Sequence, residues 1–485
     1  MSKTIIIIGA GLAGLSAALQ AAENGCNVKL VSSLSSERAQ SVMAEGGINA
    51  ALNTKDENDS PEEHFTDTIK AACGLADPNA VWGMTQAAPE LVHWLLKLGV
   101  KFNMSGYDDV DLRNFGGQKK KRTAFAQSDT GKQIMTAMID AVRRKEASGM
   151  VERFSHHSFL TLRLCGNICC GCVIRDEYSQ ETVELPGDAV IVATGGMHGL
   201  FGNTTGSLSN TGEVTAELFR LGVPLANGEM IQYHPTTVKC GGKRMLISEA
   251  ARGEGGRLFA MKDGKQWYFM EEKYPELGNL MPRDITAREI WKVSHESEVF
   301  LDMTEISEEI ISNKLSGLAD DCMTYLHKDI RKEPVSVLPG IHYFMGGILV
   351  DEQHRTPIQN LYAAGECCAQ YHGANRLGGN SLLGALYGGR VAAKSAREQA
   401  DVVDLSCATQ IDFPPASQIS EIKQLNKVMQ ETMGVVRNEN TLLNGIQTVQ
   451  ALTGNLPLLG MAVLKSTLAR KESVVHTGGG LSEEQ

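Results

Sequence analysis

Residues 3–25, KTIIIIGAGLAGLSAALQAAENG, decide the fold. Thr4 to Ile8 form a β-rich apolar run that predicts a strand. Gly9, Gly11 and Gly14 then spell G-x-G-x-x-G. After them, Leu15, Ala18, Leu19 and Ala22 recur on one helical face, and Gly25 ends the helix. The three glycines serve a tight turn, the approach of a pyrophosphate and close helix–strand packing, and the helix N-terminus stabilises phosphate charge. The glycine pattern alone carries little weight. Its full strand–turn–helix context at the start of the chain predicts a dinucleotide site, with Gly9, Gly11, Ala13 and Gly14 facing it.

Working outward, NVKLVSS (27–33) predicts the next strand. An NAD site expects an acid at its end for a ribose hydroxyl. Here Ser32 and Ser33 stand there, which disfavours NAD and leaves FAD open, with Ser33 as a ribose contact. DAVIVATGG (188–196) and NLYAAGECC (360–368) each read as a strand running into glycine, at Gly195 and at Gly365-Glu366. The second lies far downstream, so the α/β dinucleotide domain is split by a large insertion.

The bulk numbers agree with this picture. A chain of 485 residues predicts two or three domains. Its 42% hydrophobic and 21% charged fractions are those of a globular protein. A net charge of -11 argues against a nucleic-acid partner. No signal peptide opens the chain and no apolar stretch is long enough to span a membrane, so the expected location is cytoplasmic, with membrane contact only through a partner. The eleven cysteines are expected as reduced thiols. Cys169, Cys170 and Cys172 sit in an alternating hairpin arm and read as buried strand residues; no metal site is expected. The basic run Lys119-Lys120-Lys121-Arg122 reads as a solvated loop.

Seven further segments carry a specific likeness: SVMAEGGINAALN (41–53), RNFGGQKKKRTAFAQSDTG (113–131), IQYHPT (231–236), ISEAARGEGGRLF (247–259), MPRDITAREI (281–290), HYFMGGI (342–348) and HGANRLGGNSLL (372–383). In these segments, in their order and across most of the chain, the sequence resembles the flavoprotein subunit of fumarate reductase and succinate dehydrogenase. KDGKQWYFMEEKYPELGNLMPRD (262–284) is especially similar to the branch found in Gram-positive succinate dehydrogenases. The residues themselves point the same way. A C4 dicarboxylate needs two cationic or donor-rich ends, and His234, His342, Arg252, Arg283 and Arg376 all sit beside glycines or prolines in loop-like surroundings. Singly, each such Arg or His is more often a surface ion pair or a satisfied hydrogen-bonder; five in matching motifs are not.

The resemblance implies roles by position. Arg376 and His234 hold one carboxylate, with Arg376 suited to a bidentate grip; His342 and Ser248 hold the other; Phe115 and Gly116 pack near the substrate. The implied reaction is reduction of fumarate to succinate, with hydride from flavin N5 and a proton from Arg283, fed through Glu249 and Arg252. Chemistry alone nominates a histidine as the acid, because free arginine is a very poor one. Glu249 can serve such a relay if 249–252 is helical. FAD contacts fall to Ala44, Glu45, Gly46, Gly47, Glu366, Ser381 and Leu382, along with Arg376. An iron–sulfur electron-transfer subunit is the implied protein partner.

The expected architecture is a split Rossmann-like FAD-binding domain (1–227 and 341–405), an inserted α+β capping domain (228–340) and a short C-terminal helical region (406–485). In the last, 408–418 reads as a linker, 419–452 as a helical pair broken near Gly434, 459–473 as one more helix, and 476–485 as disordered. Two rival activities share the framework. L-Aspartate oxidases carry an acid where Phe115 stands, to balance the substrate ammonium. A reductase of another unsaturated acid, such as an acrylate or urocanate, is the second.

Respiratory members of the family bond their flavin to a histidine two residues before the Val of S-V-x-A-x-G-G. That position is Gln40 here, and no His, Cys or Tyr lies within Arg38–Met43. The expectation is therefore non-covalent FAD. Because the resemblance implies that the histidyl bond raises the flavin potential, its absence favours reduction; a shift of roughly 60 mV moves a two-electron equilibrium about 100-fold.

Overall fold

The computed structural model describes residues 2–106, 109–401, 411, 413 and 417–470. Most of the expected linker at 408–418, and all of the expected disordered end at 476–485, fall outside them. Five parallel strands form the central sheet in the order Leu361–Ala363, Ala189–Val192, Thr4–Ile8, Asn27–Ser32, Val151–Ser155. Ile5, Ile6 and Ile7 are fully buried, because a parallel strand covered on both faces is apolar throughout rather than alternating. The segments 188–196 and 360–368 thus enter one sheet beside the first strand, although the whole middle of the sequence separates the second from it.

The helix Leu12–Glu23 lies against the long helix Asn380–Gln399. Small residues let the backbones meet. A Cβ on Gly389 would stand 2.3 Å from the Ala13 carbonyl oxygen, and Ser16 Oγ donates to the Leu386 carbonyl at 2.6 Å. This contact joins the two ends of the split dinucleotide unit behind the glycine loop.

The inserted segment builds its own sheets. Ile231–Cys240 pairs antiparallel with Lys243–Leu246 and Leu338–Phe344. Lys265–Trp267, Arg257–Lys262, Val299–Asp302 and Val335–Ser336 form a second antiparallel sheet. Its core gathers Leu258, Phe269, Ile290, Leu301 and Val335, with the helices Glu249–Gly253 and Arg283–Val293 alongside. Pro235 lies inside a central strand, where it lacks the N–H a ladder needs. The register against Leu338–Phe344 slips between His234 and Thr237, so the proline sits in a bulge.

Three helices follow: Ile419–Thr432, Glu439–Gln450 and Asn455–Ala469. The third starts before the expected 459, because Pro457 occupies its first turn, where its missing N–H has no intrahelical partner to lose. Leu425, Met429 and Leu459 bury against Tyr233 and Phe344, and Tyr233 Oη donates to the Met433 carbonyl at 2.6 Å. The helices thereby brace the strands that carry His234 and His342. Cys169 and Cys172 are buried on the strand Ile168–Asp176, where burial pushes the Cys169 thiol up to about 12. Among the described residues, nine cysteines are free thiols. Among the described residues, no helix is long and apolar enough to cross a membrane.

Candidate active site

A cavity of about 820 Å³ runs past the C-terminal ends of the parallel strands, touching Ile8, Val31, Ala193 and Ala364. This is where open α/β sheets bind ligands. At one end the wall is backbone. Gly9 has φ +110°, and a Cβ there would stand 2.2 Å from the Ala193 carbonyl oxygen; one on Gly14 would stand 1.9 Å from the Gly9 oxygen. Gly9, Gly11 and Ala13 line the cavity, whereas Gly14 stands behind it and keeps the turn tight. Leu12–Glu23 starts there with no side-chain cap, so its first turn faces the cavity.

Ser32 and Ser33 both line the cavity, but Ser33 is exposed, whereas Ser32 Oγ is buried without a partner. Ala44 to Gly47, Gly195, Glu366, Ser381 and Leu382 complete this part of the wall. An extended enclosed slot, backbone that admits no Cβ, a helix N-terminus and an orphaned buried hydroxyl fit a dinucleotide of the size of FAD.

At the other end the wall is charge. Arg283 Nε donates to Glu249 Oε2 at 2.8 Å, and Nη2 stands 2.6 Å from the same oxygen. Its Nη1 donates to Gln232 Oε1 at 3.0 Å, and Arg376 Nη2 donates to that same oxygen at 2.9 Å. One neutral amide thus spaces two guanidiniums. Arg376 lies over the Tyr343 ring at 4.3 Å, and its Nε is buried without a partner. Burial, with Arg283 adding repulsion, pushes Arg376 down to about 9, so it stays cationic at neutral pH.

Glu249 opens the short helix Glu249–Gly253, so the helical condition for a relay is met: Arg252 Nη2 lies 3.5 Å from Glu249 Oε1, one turn away. Burial raises the Glu249 carboxyl, but Arg283 and Arg252 outweigh it and hold the group below its ordinary range. Gly116 N donates to Glu249 Oε1 at 3.0 Å, and a Cβ on Gly116 would stand 2.6 Å from that oxygen. Gly116 and Arg252 do not line the cavity; they hold Glu249 from behind. Phe115 does line it, wedged so that a Cβ on Gly46 or Gly378 would meet its ring at 2.9 or 2.6 Å.

His234 and His342 meet edge to face, with ring centroids 5.2 Å apart. Thr236 anchors the Nδ1 of His234 and Thr205 that of His342, the latter at 2.8 Å, which leaves each Nε2 for a ligand. Burial first and Arg283 second drive both well below the usual histidine value, so both are neutral. Ser248 and Glu45 complete the chamber. Burial pushes the Glu45 carboxyl up to about 8, so it too is neutral near pH 7.

The structure brings Phe115, His234, Ser248, His342 and Arg376 to the cavity wall from segments far apart in the chain; Gly116, expected beside the substrate, instead stands behind Glu249, where its N–H is needed for the carboxylate. Sequence reading missed Gln232, Thr205 and Thr236. Gln232 had a legible signal: two residues before His234 on a strand, it shares that residue's face.

The region 4–382 matches the FAD binding domain family. The chain is 40% identical over 466 residues to the succinate dehydrogenase flavoprotein subunit of Bacillus subtilis, covering 94% of this chain and 79% of that protein. It is 32% identical over 474 residues to the L-aspartate oxidase of Streptomyces coelicolor, covering 93% of this chain and 80% of that one. Among solved structures, a variant of E. coli quinol fumarate reductase FrdA superposes with a TM-score of 0.90 at 26% identity, covering 100% of this chain and 92% of that chain.

Proposed function

This chain belongs to the family of FAD-dependent oxidoreductases that includes the succinate dehydrogenase and fumarate reductase flavoprotein subunits, and from that premise we propose that it reduces fumarate to succinate. One observation carries the substrate class. Arg283 and Arg376 line a buried chamber and Arg252 stands directly behind it, three positive charges of which Glu249 offsets one. Glu45 and both histidines are neutral. The surplus of two positive charges calls for a dianion, because uncompensated buried charge is costly.

Bound FAD supplies hydride equivalents for one alkene carbon. The protein's residues do the rest. Arg376 and His234 take one carboxylate; His342 and Ser248 take the other. Arg283 gives a proton to the second alkene carbon. Its carboxylate neighbour Glu249 stabilises the returning proton, and Arg252 stands behind Glu249 to pass protons inward. An arginine can act so only in a dry site, and Arg283, Glu249 and Arg252 are each at least nine-tenths buried. The inserted segment 228–340 supplies Gln232, His234, Ser248, Glu249, Arg252 and Arg283, so we read it as a cap that excludes water. Gln40 has no nucleophilic ring nitrogen, so we read the FAD as non-covalent and the flux as reductive. The iron–sulfur partner implied by the resemblance belongs to the same reading.

Purified protein with reduced viologen is expected to turn over fumarate and to leave urocanate and acrylates untouched. Fast aspartate oxidation with oxygen, without fumarate turnover, would overturn this choice in favour of the oxidase. Denaturation in acid is expected to release all the FAD; fluorescent flavin migrating with the unfolded chain would contradict the non-covalent reading.

A further inference from the structure

One buried histidine has no part in the mechanism above. His198 is completely buried, and a Cβ on Gly206 would stand 2.1 Å from its ring, so the ring is fixed in place. Its edge also packs on Phe344, with centroids 4.9 Å apart at 82°. Its Nδ1 lies 3.0 Å from Thr204 Oγ1. Thr204 Oγ1 already accepts from Gly206 N at 3.2 Å, so its own hydroxyl hydrogen is free to go to His198 Nδ1. With that donation Nδ1 accepts, and the ring proton sits on Nε2. Nε2 is buried without a hydrogen-bond partner, and Glu366 Oε1 lies 3.7 Å away. The opposite tautomer would point a lone pair at a carboxylate.

Glu366 faces the cofactor cavity at the end of the strand Leu361–Ala363. The His198 Nε2–H faces its Oε1 across 3.7 Å, and Oε1 accepts from Phe344 N at 3.1 Å. We propose that His198 is a positioning residue for Glu366: the Phe344 N–H holds Oε1 at 3.1 Å, and the His198 Nε2–H, which faces Oε1 across 3.7 Å, closes on it when FAD is bound, so that Oε2 is presented to a hydroxyl of the cofactor. The inference rests on the reading of Glu366 as a cofactor contact. The same short loop carries Thr205, which holds His342, so one segment sets a side chain at each end of the cavity.

The test is FAD affinity of the full-length apo-protein, followed by quenching of free FAD fluorescence. His198→Phe keeps ring size and removes the N–H. It is expected to weaken FAD about tenfold, in line with loss of one charge-assisted hydrogen bond. His198→Gln, which restores a donor, is expected to stay within about threefold of the native protein. Thr204→Val frees the tautomer and is expected to fall between them. Unchanged affinity in His198→Phe would overturn the proposal, and so would equal weakening in the Phe and Gln variants, because ring shape would then matter and the donor would not. Glu366→Gln separates the two layers. If it leaves affinity unchanged, the reading of Glu366 fails and takes the proposal with it; if it weakens FAD while His198→Phe does not, only the proposal fails. None of these titrations depends on which acid the enzyme reduces.

Discussion

The two ends of the cavity are built on opposite principles. The glycine-loop end is made of main chain and of space: Gly9 and Gly14 matter because nothing may be attached to them. The arginine end is made of side chains whose charges leave a positive surplus, held by Gln232 and Glu249. The first recognises a shape and the second a charge, so substitutions should fail differently at each.

The largest effect is expected where space is filled. Gly9→Ala places a methyl 2.2 Å from the Ala193 oxygen in a conformation L residues avoid, and FAD binding should fall more than about a thousandfold by equilibrium titration. Retained tight FAD in this variant would break the shape side of the contrast. Next, Arg283→Lys keeps the positive charge and loses the fork that bridges Glu249 and Gln232. FAD and fumarate binding should persist while kcat falls by about 10³-fold, within the range of general acid catalysis. Near-normal turnover would sink the relay.

Gln232→Leu is expected to lower kcat/KM about 10–100-fold with FAD affinity intact, since two buried guanidinium donors lose their shared acceptor. The last effect touches neither binding nor turnover but stability, and it concerns Glu45. In the unfolded chain it loses its proton near pH 4.5, whereas the fold keeps it protonated to about 8. Between those values the folded state holds the extra proton, so this group lowers stability as pH rises, by up to about 1.4 kcal/mol per pH unit. Melting of the apo-protein from pH 5 to 8 should show Glu45→Gln gaining on the native chain. A constant difference would mean that Glu45 is ionised in the chamber.

The same contrast explains what the sequence made legible. Backbone demands are local, so strand, glycine turn and helix can be read from residues 3–25 alone. Charged residues in loop-like settings also stand out, which is why Arg283 and Arg376 were visible. For Gln232 the strand pattern shows the face but not the task, and for Thr205 and His198 no local pattern shows either, because their meaning lies in partners far along the chain: Arg376 for Gln232, His342 for Thr205 and Glu366 for His198. A glutamine or threonine at a given position looks the same whether it faces solvent or spaces two cations. Between Ser32 and Ser33, only burial could tell which hydroxyl is enclosed.

The close contact of Gly389 with Ala13 and Ser16 also sets an order of events. The first helix of the chain waits for nearly the last part of the dinucleotide unit, so its small-residue face is left uncovered until residues 380–399 have been synthesised. Contacts so distant in sequence form late, after most of the loop-closure entropy has been met. Cofactor capture therefore belongs to the end of synthesis, and a chain cut short before residue 380 should emerge with its glycine loop formed and no means of keeping FAD.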